Sequence, residues 1–248
     1  MSMTLEDYAR EAAIDVLHGE AVMKEAAKRQ CIYLFVEGKS EEIAFDILLS
    51  YLNIDFEEIG IMIANYGGIN NLTNALGLLD KTLSNDRPVI VTYDNDAEGN
   101  QVIKNIKKKD YNIELITFFP IPDKPKVKYS KGHLGGSYEE MYDYEHFINC
   151  CFSEEIMTEE LINKKKNFLA IFNKTKPWFA QIKKFCAKNE YYKFEDNKVV
   201  LAKTLAETCE EIPKTMILLS GVIKKVREEY PVKHPDDVEL PLVLGLTC

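Results

Sequence analysis

Nowhere in the 248 residues is there an apolar run of about 18, the length needed to cross a bilayer. No membrane-spanning segment is therefore expected. The first residues, Met1 to Asp7, lack the basic-then-apolar order of a secretion signal, and the expectation is a cytoplasmic protein. The apolar tail Leu240–Cys248 is too short to anchor and is expected to pack on the body as a strand or edge. No Cys-x-x-Cys pair occurs among the six cysteines, and His18, His133, His146 and His234 are scattered without zinc-ligand spacing. These absences argue against a disulfide framework and a structural zinc. Reduced thiols, several of them in the core, are expected instead. Neither an internal repeat nor a low-complexity segment is present.

What is present is ordinary for a folded protein, with 46% apolar and 29% charged residues. The length suits one large domain, or a compact domain with a helical annex. A net charge of −9 argues against a surface that binds nucleic acid everywhere. The charge is uneven, however. Leu161 to Asn189 contains no acid but holds Lys164, Lys165, Lys166, Lys174, Lys176, Lys183, Lys184 and Lys188, interleaved with Phe168, Phe172, Trp178, Phe179 and Phe185. A second basic stretch runs through Lys104, Lys107, Lys108, Lys109, Lys124, Lys126, Lys128 and Lys131. Two readings stand. One is a solvated helix face with its aromatics in the core; the other is a phosphate-tracking surface with aromatics free to stack on bases.

Leu5 to Lys28 has the pattern of one amphipathic helix, cappable by Thr4, ending in Lys24, Lys28 and Arg29 and expected to pack on the domain C-terminal to it. From Cys31 the pattern becomes strand-length apolar runs (31–36, 59–64, 88–93 and 113–119) alternating with helical stretches (40–52, 69–83 and 98–109). Strands apolar on both faces and separated by helices imply a parallel sheet covered by helices, with all carboxyl ends on one rim. Residues 120–136, with three prolines and three glycines, are expected to be an irregular loop. Beyond Tyr138 the chain reads as helices over 139–152, 153–173, 177–188 and 213–230. The expected organisation is an N-terminal helix (1–30), an α/β catalytic domain with a four-stranded parallel sheet (31–136), and a mainly helical C-terminal region packing on it (137–248).

Two acidic clusters come directly after the first and third strands: Glu37-Gly38-Lys39-Ser40-Glu41-Glu42 and Asp94-Asn95-Asp96-Ala97-Glu98-Gly99. Taken singly, each is also what helix N-caps and first turns look like. Taken together, at the ends of two strands of one sheet, Glu37, Asp94 and Asp96 form a cleft of hard oxygen donors. Such donors suit Mg2+ or Mn2+, which can neutralise phosphate charge and activate water. Gly135-Gly136-Ser137-Tyr138-Glu139-Glu140 either delivers another acid to the rim or is a helix cap built on Ser137. Lys131 and His133 either stabilise transition-state charge or are solvated loop residues.

Val36-Glu37-Gly38-x-x-Glu41, with a later strand ending in Asp94-x-Asp96-x-x-Gly99, resembles the TOPRIM domain of topoisomerases, bacterial primases, recombination mediators and OLD-family nucleases. The resemblance covers roughly 31–119. It implies a Rossmann-like TOPRIM fold, with Glu37 as a general acid or base that also holds metal and Asp94 and Asp96 as metal ligands. Gly38 and Gly99 would supply tight turns. The rest of the chain is too short for topoisomerase gate domains, and it lacks the zinc motifs of primases and recombination mediators. Glu41 and the Gly67-Gly68 turn are most similar to the OLD branch, which implies Glu41 as a further ligand in a two-metal site. Glu42 is expected at the surface.

No Gly-x-x-x-x-Gly-Lys-[Ser/Thr] phosphate loop is present, although OLD proteins carry an ATPase domain. The chain thus resembles a stand-alone TOPRIM effector paired with a separate ATPase protein, as in antiphage systems such as PARIS. The resemblance implies a Mg2+-dependent endonuclease acting on nucleic acid, DNA or RNA, and a homodimer. Two alternatives are a TOPRIM module that binds nucleic acid or a partner protein without chemistry, and a doubly wound domain binding a small phosphorylated ligand, supported by Gly67, Gly68 and Ser40.

Overall fold

Four short apolar strands with helices between them build a parallel α/β sheet. The computed structural model describes residues 5–82, 87–108, 116–129 and 132–237. Helix α1 (Leu5–Arg29) leads into β1 (Ile32–Val36), α2 (Lys39–Ser50), the single turn α3 (Phe56–Ile59) and β2 (Ile61–Asn65). A 3-10 turn at Ile69–Asn71 opens α4 (Leu72–Thr82), then come β3 (Val89–Asp94), α5 (Ala97–Ile106) and β4 (Ile116–Ile121). The strand order is β2-β1-β3-β4, with every pair parallel.

The side-chain alternation of β1 separates two cores. Ile32, Leu34 and Val36 face a cluster with Phe45, Leu48 and Leu49 of α2, whereas Cys31, Tyr33 and Phe35 face Leu72 and Leu76 of α4 and Ile103 and Ile106 of α5. A strand buried on both faces needs apolar residues at every position, which is why β1 reads as a continuous apolar run. Central β1 and β3 end on the same rim, with Phe35 beside Val91.

The chain continues through a small antiparallel hairpin, β5 (Val127–Lys128) and β6 (Leu134–Gly135), and a 3-10 turn at Tyr138–Met141. Next come helices α6 (Tyr144–Cys151), α7 (Glu159–Ile162), α8 (Lys165–Leu169), α9 (Trp178–Lys188), α10 (Lys198–Glu207) and α11 (Lys214–Glu229). Helix α10 lies against α2 and α6. Phe147, Phe168, Ile182, Leu205, Met216 and Ile223 share one core with Ile32 and Leu34 of the sheet. Cys31, Cys150, Cys151 and Cys186 are buried as free thiols.

Several expectations change. The fourth strand runs on through Pro120 to Ile121, because it pairs only with β3 and the missing N–H of Pro120 faces the open edge. The segment expected as loop contains the β5–β6 hairpin. Residues 153–173 are not one helix. Lys164 leaves helical geometry (φ −89°, ψ 5°), and the two short pieces turn Leu161 and Phe168 inward separately. Helix α10 is an addition to the helical stretches expected from the sequence. In α1, Ala26 and Ala27 are buried, but Ile14, Val16 and Leu17 stay exposed, so the helix packs through its last turns rather than along its length. Thr4, Lys109, Lys131 and the tail 240–248 lie outside the described residues.

The aromatics of the basic stretch turn inward: Phe168, Trp178 and Phe185 are buried and Phe172 and Phe179 partly so. The core reading of that pattern therefore holds for these rings.

Candidate active site

The rim above β1 and β3 is where the acids gather. Glu37 is the first residue after β1. The loop after β2 fixes its backbone, since Gly68 N–H donates to the Glu37 carbonyl at 2.9 Å and Tyr66 N–H to the Val36 carbonyl at 3.0 Å. Gly67 and Gly68 take positive φ (70° and 96°) to make that loop, so their role is backbone support for Glu37. The Glu37 carboxylate turns across to β3 and accepts from Asp94 N–H at 3.3 Å. The two sequence-distant acids thus meet.

Asp94 ends β3 and accepts from Tyr138 N–H at 3.0 Å. Two residues on, Asp96 caps α5, accepting from Gly99 N–H at 2.7 Å. The intervening Asn95 is held from three sides. Its N–H donates to Ile121 O, its side-chain amide donates to Pro122 O, and its carbonyl accepts from Gly136 N–H. Glycines fit closely on this loop. A Cβ at Gly99 would lie 2.2 Å from Asp94 O, and one at Gly135 would lie 2.1 Å from Asn95 O. Gly99 therefore permits close approach of α5 and makes no tight turn. Gly38, at φ −146°, is an extended N-cap of α2 and no turn glycine either. Gly99→Ala is expected to displace the Asp94–Asp96 loop and cost about 1–3 kcal/mol by overpacking, measurable by urea unfolding.

Glu41 accepts from Gly38 N–H at 3.0 Å and is 6% exposed, turned toward the same rim. Glu42 instead pairs with Lys39 at 2.8 Å and contacts Asn65 away from the cluster. The Ser137 segment resolves into both of its readings. Glu140 closes a capping box, accepting Ser137 N–H at 2.7 Å and Trp178 N–H at 2.6 Å. Glu139, 3% exposed, is delivered toward the acids. The Ser137 hydroxyl lies 2.7 Å from Glu139 and 2.6 Å from Glu140. Burial, then Glu139, pushes Glu140 up to about 6, against the pull of its hydrogen bonds from Ser137 and Trp178.

One cation faces this cluster that sequence reasoning did not single out. Lys198, the first residue of α10, approaches Glu139 to 3.9 Å. Its pKa is raised by Glu139 above all, then by Glu41, Asp94 and Glu37. Nothing in Glu195-Asp196-Asn197-Lys198 marks it out. It reaches the site only because α10 packs on α2, the helix that carries Glu41.

The acids carry the mark of too little positive charge. Burial, opposed by Lys198, pushes Glu41 up to about 7. Glu37 is raised by burial first and by Asp96. Asp94 is half-buried. Burial, then Glu37, Glu41 and Glu139, hold its carboxyl well above the usual range. Hard oxygen donors repelling one another suit a divalent cation. As the side chains stand, no three carboxylate, imidazole or thiol groups among the described residues are arranged to hold an ion. Glu37, Glu41, Asp94 and Asp96 each accept instead from a backbone N–H. The donor set, four carboxylates at one sheet rim, fits a hard divalent cation by its chemistry.

His133 lies on the β5–β6 turn against the Tyr129 ring, 6.2 Å between centroids. Among the described residues its buried Nε2 has no hydrogen-bond partner. The Tyr129 phenol is raised by burial and by Glu140, Asp96, Asp94 and Glu139, so this hairpin borders the acidic rim.

Residues 32–96 match the family described as overcoming lysogenization defect protein-like, TOPRIM domain. Among solved structures, the C-terminal region of the Xanthomonas campestris pv. campestris OLD protein shares the fold. It is 16% identical at a TM-score of 0.51, over 81% of this chain and 95% of that one. The C-terminal region of the Burkholderia pseudomallei OLD protein is 12% identical at a TM-score of 0.42, over 81% and 98%. No curated protein matches the chain.

Proposed function

Since this chain carries a TOPRIM domain of the OLD-like kind over 32–96, we propose that it is a metal-dependent endonuclease hydrolysing phosphodiesters of DNA or RNA. The observation that supports this most is the meeting of Glu37 with Asp94 at one sheet rim, with Glu41 and Glu139 beside them and Lys198 opposite. Glu37, Glu41, Asp94 and Asp96 would hold Mg2+ or Mn2+. Bound there, the ion supplies Lewis-acid stabilisation of phosphate charge and lowers the pKa of water.

The chain's own residues divide the remaining work. Burial keeps Glu37 above the usual carboxylate range, which suits a group that takes a proton from water and returns it to the leaving oxygen. Lys198, 3.9 Å from Glu139 at the edge of the acids, would serve as the fixed cation for charge developing on the phosphorus oxygens. Ser137 and Glu140 position Glu139. Exposed lysines would bind the phosphate backbone, making affinity fall steeply with salt.

A non-catalytic reading has one observation in its favour: the acids lie on backbone N–H groups with no three arranged as ligands among the described residues. The deciding assay is nicking of supercoiled plasmid and of tRNA, with magnesium or manganese against EDTA. It is run with the chain alone and with any separate ATPase protein, the arrangement expected of an antiphage effector. Metal-dependent cleavage is expected, and Lys198→Met should slow it about 100-fold, the scale of losing one fixed donor to a developing anion. An intact substrate in every arm leaves the binding-module reading.

A further inference from the structure

Behind the 3-10 turn that carries Glu139 lies a cavity of about 320 Å3, lined among others by Lys126, Asp143, Tyr144, Lys174 and Trp178. Its volume is at the lower end of small-molecule sites, the size class of a single nucleotide. Two distant segments bring their lysines together here, one from each basic stretch of the sequence. The Lys126 ammonium lies 6.0 Å from the Trp178 ring centroid and donates to the carbonyls of Tyr142 at 3.0 Å and Met141 at 3.4 Å. Lys174 lies 5.1 Å from the Tyr144 ring centroid. Neither ammonium has a carboxylate within ion-pairing distance among the described residues.

Among the described residues Asp143 is the one lining carboxylate, and with one oxygen it caps α6 by accepting from Glu145 N–H at 2.8 Å. Asp143, Asp123 and Glu140 act on Lys126 only from beyond ion-pairing distance, and both lysines are exposed, so they are open to a charge-assisted contact with an anionic ligand. Tyr144 supplies the other half of a nucleotide site. Its ring stacks on Phe172 at 17° between planes, which holds it rigid, and it remains partly exposed. Cation, rigid aromatic and nucleotide-sized space are the elements of single-strand recognition.

We propose that this cavity binds one nucleotide of a single strand, with Lys126 and Lys174 on the phosphate and the base against Tyr144. The site is coupled to the acidic rim through Glu140, whose carboxylate takes Trp178 N–H on the cavity side and Ser137 N–H on the rim side. A strand seated here lies beside the turn that presents Glu139. The assignment rests on the nuclease reading in so far as the strand is that enzyme's substrate.

Trp178 is the single tryptophan of the sequence and lines the cavity, so its emission reports occupancy without any turnover. Short single-stranded deoxy- and ribo-oligonucleotides are titrated in EDTA into the full chain, its Asp94→Asn variant, and the Lys126→Ala/Lys174→Ala pair, with far-UV circular dichroism checking the fold. Saturable quenching is expected in the first two. In the lysine pair, affinity should fall about tenfold or more, and the slope of log affinity against log salt should flatten by about 0.7, the share of one phosphate contact on a single strand. An unchanged Trp178 signal in a chain that cleaves overturns the site and leaves the nuclease reading standing. Quenching in a chain that never cleaves does the reverse. The site is also overturned if the lysine pair binds as tightly as the parent, or if inorganic phosphate or a free mononucleotide quenches as well as the oligonucleotide.

Discussion

Asp94→Asn is expected to lower metal-dependent cleavage by about 10³-fold or more while the folded protein becomes no less stable in metal-free buffer. The amide keeps an oxygen for Tyr138 N–H, which now donates to Asp94 at 3.0 Å, so the link between β3 and the Glu139 turn survives. What disappears is a carboxylate crowded by Glu37, Glu41 and Glu139. An acid whose pKa is held that far up costs folding free energy when ionised, and a neutral isostere does not. The proposed activity, by contrast, would need that negative charge to hold a cation, and loss of a preorganised charged group is a large kinetic effect. Plasmid nicking and a thermal melt on the same preparation test both halves. Cleavage at the parent rate with magnesium would remove Asp94 from the catalytic set.

Glu41→Gln carries a large expected stability effect. Its carboxyl rises from an ordinary 4.5 to about 7, chiefly through burial. The folded chain then holds this proton more tightly than the unfolded chain. Stability is highest below about pH 4.5 and is lost as pH climbs through about 7. A rise of that size corresponds to roughly 3 kcal/mol in full, and Glu37 and Asp94 act in the same direction. Gln keeps an acceptor for Gly38 N–H and removes the titration. The variant should therefore unfold at higher urea concentration at pH 8, by up to roughly 3 kcal/mol, with the gap shrinking toward pH 5. Magnesium should stabilise the parent at pH 8 more than the variant, because an ion bound only by the folded state adds to its stability. Equal urea midpoints at pH 5 and pH 8 in both proteins would contradict this account of the rim.

The alternating core was legible because β1 is apolar at all five positions, a pattern that a strand covered on both faces requires. The acids were legible for the same reason: Glu37 and Asp94 interrupt apolar runs where strands end. Less legible were features decided by distant contacts. Asp96 caps a helix and Gly99 makes room for one, so the letters that marked a metal motif also encode local geometry. Lys198 carries no local mark, and its importance comes from α10 lying on α2. The break at Lys164 and the β5–β6 hairpin arise from how Phe168 and Val127 reach a shared core, which no window of sequence contains.

The placement of Lys198 also has a consequence in time. Ribosomes deliver Glu37, Glu41, Asp94 and Asp96 first, and the lysine that faces them emerges about a hundred residues later. At translation rates of 5–20 residues per second the lag is roughly 5–20 s. Throughout it the carboxylates lack the Lys198 ammonium that faces them in the finished fold, so under the proposed function a half-made chain is expected to be inactive. Docking of α10 on α2 is then what brings the ammonium to the acids and completes the charge pattern that the proposed nuclease needs.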